Sequence, residues 1–116
     1  MTLPNLFQDK PTILWSKRMV EDGDDMFTEE RIQMSEQVLD YFLNELFALQ
    51  GTKDAEQIMK SVEKVVVTFN EMNEAHDYFI ETMEREELAD FIDKAARLAG
   101  LHIKEGEDIT EEWREW

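Results

Sequence analysis

The sequence predicts an all-α fold: three main antiparallel helices, an N-terminal segment and a short C-terminal helix. Three observations lead there. Only four Gly and two Pro interrupt the 116 residues, and they fall where helices should stop. Apolar residues recur at helical spacing across the long stretches between them. Cap-forming residues stand at the head of those stretches. The expected organisation is one helical domain over residues 1–116, with an N-terminal segment at 1–27, a helical core at 28–100 and an acidic, Trp-bearing segment at 101–116.

Residues 1–11, bracketed by Pro4 and Pro11, read as irregular. Ile13-Leu14-Trp15 through Met19-Val20 suit a short helix that ends in the acidic loop Glu21-Asp22-Gly23-Asp24-Asp25. Thr28, followed by Glu29 and Glu30, begins the first long helix with a hydroxyl cap and acids in its positive first turn. Its stripe is Ile32, Leu39, Phe42, Leu43, Leu46, Phe47 and Leu49, and Gly51 closes it. Asp54 with Gln57 resembles a capping box for the second helix, whose core face is Ile58, Val62, Val65, Val66, Phe69 and Met72. The run Val65-Val66-Val67 also suits a strand, but the surrounding periodicity decides for helix. Asn73 through Ile80 is ambiguous, with Tyr78-Phe79-Ile80 open to an extended reading. Thr82 caps the third helix, which carries Leu88, Phe91, Ile92, Ala95 and Ala99 and ends at Gly100. A second acidic loop follows. Asp108 with Glu111 then caps a short turn of helix from Ile109 to Trp116.

Charge narrows the possible partners. The chain holds 28 acids against 12 bases, a net charge of −16. Residues 1–20 are mildly basic, since Lys10, Lys17 and Arg18 face Asp9 alone. A field of this sign repels nucleic acid and anionic membrane and draws basic protein surfaces toward it. The apolar fraction of 42% is enough for a core and argues against disorder. No cysteine is present, which removes disulfides, thiolate zinc sites and cysteine nucleophiles. Neither a signal peptide nor a membrane-length apolar run is visible, so a soluble, cytoplasmic protein is expected.

Few residues are spaced for chemistry. Glu71-x-x-Glu74 and, twelve residues on, Glu87-x-x-Asp90 resemble the E-x-x-E…E-x-x-D signature of the MazG-type all-α nucleoside triphosphate pyrophosphatases. That resemblance implies magnesium held by Glu71, Glu74, Glu87 and Asp90, and hard divalent cations do take oxygen ligands. Helical geometry works against it. At ~100° per residue Glu71 points almost opposite the second helix's apolar stripe and Glu74 about 120° from it. Glu87 and Asp90 lie about 100° and 160° from the face of Leu88. The acidic loop around Gly23 lacks the sixth-position Gly and twelfth-position Glu of a calcium loop. His76 and His102 lack metal-site spacing, and no phosphate-binding loop or nucleophile elbow occurs. No base is placed beside Ser16, Ser35 or Ser61. No cofactor is therefore expected, with magnesium needed only if the pyrophosphatase reading holds.

Ile109, Trp113 and Trp116 share one helical face, which either docks on the bundle or anchors a partner. Trp15 admits the same two readings. Around Phe69-Asn70-Glu71-Met72-Asn73-Glu74, Phe79-Ile80-Glu81-Thr82, Glu84-Arg85-Glu86-Glu87-Leu88 and Phe91-Ile92-Asp93-Lys94-Ala95-Ala96 the chain resembles small acidic helical bacterial proteins of the toxin-immunity type. That resemblance implies a single-domain inhibitor that binds its toxin through an acidic face. The expected function is a non-enzymatic acidic binding protein, an immunity protein that blocks a basic toxin such as a nuclease by occluding its surface. Candidate contacts are Asp22, Asp24, Asp25, Glu71, Glu74, Asp77, Glu84, Glu86 and Glu87, with Trp113 and Trp116 as anchors. The rival readings are the magnesium-dependent pyrophosphatase and a structural or homo-oligomeric protein.

Overall fold

A computed structural model describes residues 2–23, 27–52 and 54–116. Among them every regular element is helical: a 3-10 helix at Leu3–Gln8, then α1 at Pro11–Glu21, α2 at Glu29–Leu49, α3 at Ala55–Ala75 and α4 at Thr82–Ala99. No helix among the described residues is long and apolar enough to cross a membrane.

Local chemistry accounts for most of the boundaries. Pro11 opens α1, where its missing N–H and fixed φ cost nothing. The Thr28 hydroxyl accepts from the Arg31 N–H at 3.1 Å, and Asp54 accepts from the Gln57 N–H at 3.3 Å. α4 closes at Gly100, whose φ of 116° a side chain would strain. The expected cap at Thr82 shifts by one residue. Glu81 is the N-cap, and the Glu84 carboxylate accepts from its backbone N–H at 3.2 Å.

Two expectations need correcting. The stretch expected to be irregular before Pro11 holds the 3-10 helix at Leu3–Gln8, which buries Leu3 and Leu6 completely. The expected helix over Ile109–Trp116 does not form, and residues 101–116 run as turns. There the Asp108 side chain accepts from both the N–H and the hydroxyl of Thr110, at 2.9 and 2.6 Å. Those bonds favour a turn over continued helix. Arg97 fixes the preceding stretch by donating to the Ile103 carbonyl at 3.1 Å.

α2 is the hub, packing against the 3-10 helix, α1, α3 and α4. One contiguous core runs from Leu3 to Ile109. At one end Trp15 stacks on Phe27 at 5.5 Å, and Phe79 meets both edge-on at 6.3 and 6.4 Å. Phe79 reaches that cluster from the bend after α3. Asp77 and Tyr78 there both take positive φ, 62° and 55°. Buried Asn73 holds the bend, accepting from the Ile80 N–H at 2.9 Å.

Candidate functional site

α3 sets the geometry of the acidic surface. Its buried stripe faces the core, which leaves Glu56, Glu63, Val67, Glu71 and Glu74 in solvent on the opposite ridge. Asn70 sits between stripe and ridge, half-buried. Its amide donates to the Trp113 carbonyl at 2.8 Å and accepts from the Glu115 N–H at 2.9 Å. That two-way clamp lays the last residues along α3, where the Trp116 indole N–H reaches the Val66 carbonyl at 3.5 Å. Trp113 and Trp116 thus rest half-buried against the core.

Glu111, Glu112 and Glu115 remain exposed beside them. With Glu63, Glu71 and Glu74 on the outer ridge of α3 they make six exposed carboxylates on α3 and this segment. None of the six takes part in an ion pair among the described residues. Arg114 is the cation nearest in sequence. It pairs with Asp108 at 3.2 Å and lies over the Trp116 ring at 5.6 Å.

The other candidate carboxylates divide between solvent and interior. Asp22 is exposed at the end of α1, while Asp24 and Asp25 lie outside the described residues. Asp77 is exposed on the bend, where it accepts from Arg31 at 3.1 Å. Glu86 is exposed on α4. Glu84 and Glu87 depart from the expected open surface. Glu84 is only 5% exposed and accepts from Arg18 at 3.0 Å. Glu87 receives both Arg18 terminal nitrogens, at 2.7 and 2.5 Å, and the Trp15 indole N–H at 3.3 Å. These two acids bind α4 to α1. Hydrogen bonding to Glu87 raises the Arg18 pKa above its ordinary value, ahead of the opposing effect of burial.

The same arrangement bears on the magnesium reading. Glu71 and Glu74 point outward from α3, Glu87 is committed to Arg18, and Asp90 is exposed on α4. Among the described residues no three or more His, Asp or Glu side chains are grouped to hold a metal ion. His76 is half-buried and His102 exposed.

The basic N-terminal segment is also largely neutralised. Lys10 pairs with Asp40 at 2.7 Å and Arg18 with Glu84 and Glu87. Sequence reasoning passed over Asn70 and Arg18. Asn70 gave no signal, because its partner lies 43 residues further on. Glu84 did give one: it stands four residues before Leu88, on the core stripe of α4. A carboxylate in that register calls for an internal cation.

Comparison of the chain with protein-family models, with curated proteins and with solved structures returns no match, so the reading of this surface rests on its own geometry.

Proposed function

We propose that the protein is a non-enzymatic acidic binding protein of the bacterial cytoplasm, an immunity-type inhibitor that occludes a basic toxin. The observation that carries this reading is the surface on α3 and the C-terminal segment. Six exposed carboxylates there, in no ion pair among the described residues, share these two elements with two half-buried tryptophans. Exposed charge of one sign speeds encounter with an oppositely charged partner, and desolvated aromatic anchors hold it afterwards. The carboxylates would meet the partner's lysines and arginines while Trp113 and Trp116 fill apolar depressions between them.

The test is binding to a basic toxin encoded beside this gene. Association should slow steeply as salt rises from 0.05 to 0.5 M, since a Debye length of about 10 Å at 0.1 M screens such steering. Replacing Glu71, Glu74 and Glu112 together by Gln should slow association about tenfold or more while leaving dissociation nearly unchanged. Salt-insensitive association, or an unchanged rate in the triple variant, would remove this surface from the reading. Release of pyrophosphate from nucleoside triphosphates with magnesium, abolished by Glu74→Gln, would replace the reading with the enzyme.

A further inference from the structure

The outward face of α2 is the reverse of the acidic surface. From Gln37 to Gln50 its most exposed positions are Gln37, Tyr41, Asn44, Phe47, Ala48 and Gln50, and the two acids of the stretch, Asp40 and Glu45, are half-exposed and paired with Lys10 and Lys64. In a chain where 34% of residues are charged, so long a stretch of solvent-facing helix with no acid outside an ion pair stands apart. Tyr41 and Phe47 are 58% and 54% exposed. Beside them α2 and α3 enclose an apolar groove of ≈ 230 Å³ floored by Val38, Phe42 and Val65. The one carboxylate at its edge, Glu45, is neutralised by Lys64 at 3.5 Å. Lys64 also lies over the Tyr41 ring at 4.5 Å and donates to its hydroxyl.

We infer that this face is where a second copy of the chain docks, α2 against α2. Charge selects the occupant. Two molecules of net charge −16 repel through every acidic face, so they can approach closely only where neither presents a free carboxylate. Spacing sets the register. Gln37, Tyr41, Asn44 and Ala48 stand at i, i+4, i+7 and i+11, a single line along the helix. An antiparallel pair with its two-fold axis between Asn44 and Glu45 sets each Tyr41 on Ala48 of the second copy, large side chain against small. It also brings the two Asn44 residues together at the axis, where their amides can bond to each other. The acidic surface on α3 and the C-terminal segment stays outside the contact.

The native chain lacks cysteine, so Asn44→Cys gives a clean report. Under oxidation it should form a disulfide-linked dimer, because residues on the axis meet the roughly 4.4–6.8 Å Cα separation a disulfide needs. Glu112→Cys, on the acidic surface and outside the contact, should not cross-link. In sedimentation equilibrium the native chain should move with concentration from 13.8 kDa toward twice that mass. Raising salt should tighten the dimer several-fold by screening repulsion, opposite in sign to the salt effect on binding a basic toxin. Ala48→Glu, a change a helix surface tolerates, should weaken the dimer at least about tenfold by setting charge against the tyrosine. A mass of one chain at millimolar concentration would overturn the proposal. A dimer that survives Ala48→Glu, or in which Asn44→Cys cross-links no faster than Glu112→Cys, would overturn it too.

Discussion

Arg18 is the residue on which the packing of α1 against α4 turns. Burying a carboxylate such as Glu84 costs several kcal/mol unless a cation and hydrogen bonds replace the lost water. Arg18 supplies the cation to Glu84 and a two-pronged contact to Glu87, and Trp15 adds a further donor. The planar guanidinium matches both oxygens of a carboxylate at once, which an ammonium cannot do. Arg18→Met should therefore lower unfolding free energy by about 2–3 kcal/mol. That sits below the ~3–5 kcal/mol of a fully buried broken pair, because the Arg18 side chain keeps 19% of its exposure. Urea denaturation would show a lower midpoint with an unchanged slope. Adding Glu84→Gln to Arg18→Met should recover part of the loss, since a neutral amide is cheaper to bury than an unpaired carboxylate. A loss under ~0.5 kcal/mol for Arg18→Met would put the cluster among screened surface pairs. The raised Arg18 pKa has a definite sign: its stabilisation is complete below the ordinary arginine range and is lost only as pH rises through the higher folded value.

At the scale of elements, the C-terminal segment depends on one side chain for its placement. It has no helix of its own, and Asn70 meets a carbonyl and an N–H of it as a neighbouring strand would. Asn70→Ala removes both bonds and should cost about 1–2 kcal/mol. It should also let Trp113 and Trp116 swing into water. Their emission should shift to the red, while Trp15, fully buried against Phe27 and Phe79, keeps its blue component. An unshifted spectrum would mean that the indole contacts with the core hold the segment without the clamp. The limits of sequence reading follow the same division. The starts at Thr28 and Asp54, the stop at Gly100 and the inward stripes of α2, α3 and α4 were legible because each depends on residues within a few positions of itself. Phe47 is the exception on α2, facing solvent at 54% exposure. The turn at 101–116 was not. Ile109, Trp113 and Trp116 have helical spacing, but Asp108 bonding two residues ahead and Asn70 bonding from α3 both favour another backbone path. Glu84 and Glu87 read as surface from a single apolar stripe on α4, whereas α1 covers a second face of it.

Over the whole molecule, attraction and repulsion among charges act at different ranges. The ion pairs Lys60–Glu56, Lys94–Asp9 and Arg97–Asp93 are largely exposed, so each contributes at most ~1 kcal/mol and loses part of that to salt. Against them stands a net charge of −16 within principal dimensions of 42 × 27 × 23 Å. At 0.01 M salt the screening length is about 30 Å, so carboxylates on opposite sides of the bundle still repel; at 1 M it is about 3 Å and they do not. Unfolding separates those charges, and low salt therefore favours the unfolded chain. The outer acidic surface should thus limit stability as well as serve binding. Scanning calorimetry between 0.01 and 1 M sodium chloride should show Tm rising by about 4–8 °C, the shift that ~1–2 kcal/mol produces in a domain of this size. Glu71→Gln together with Glu74→Gln should raise Tm at 0.01 M and make little difference at 1 M, because salt already supplies what the substitutions remove. A Tm that falls with salt would mean that the ion pairs outweigh the repulsion, and the acidic surface would then be no burden on the fold.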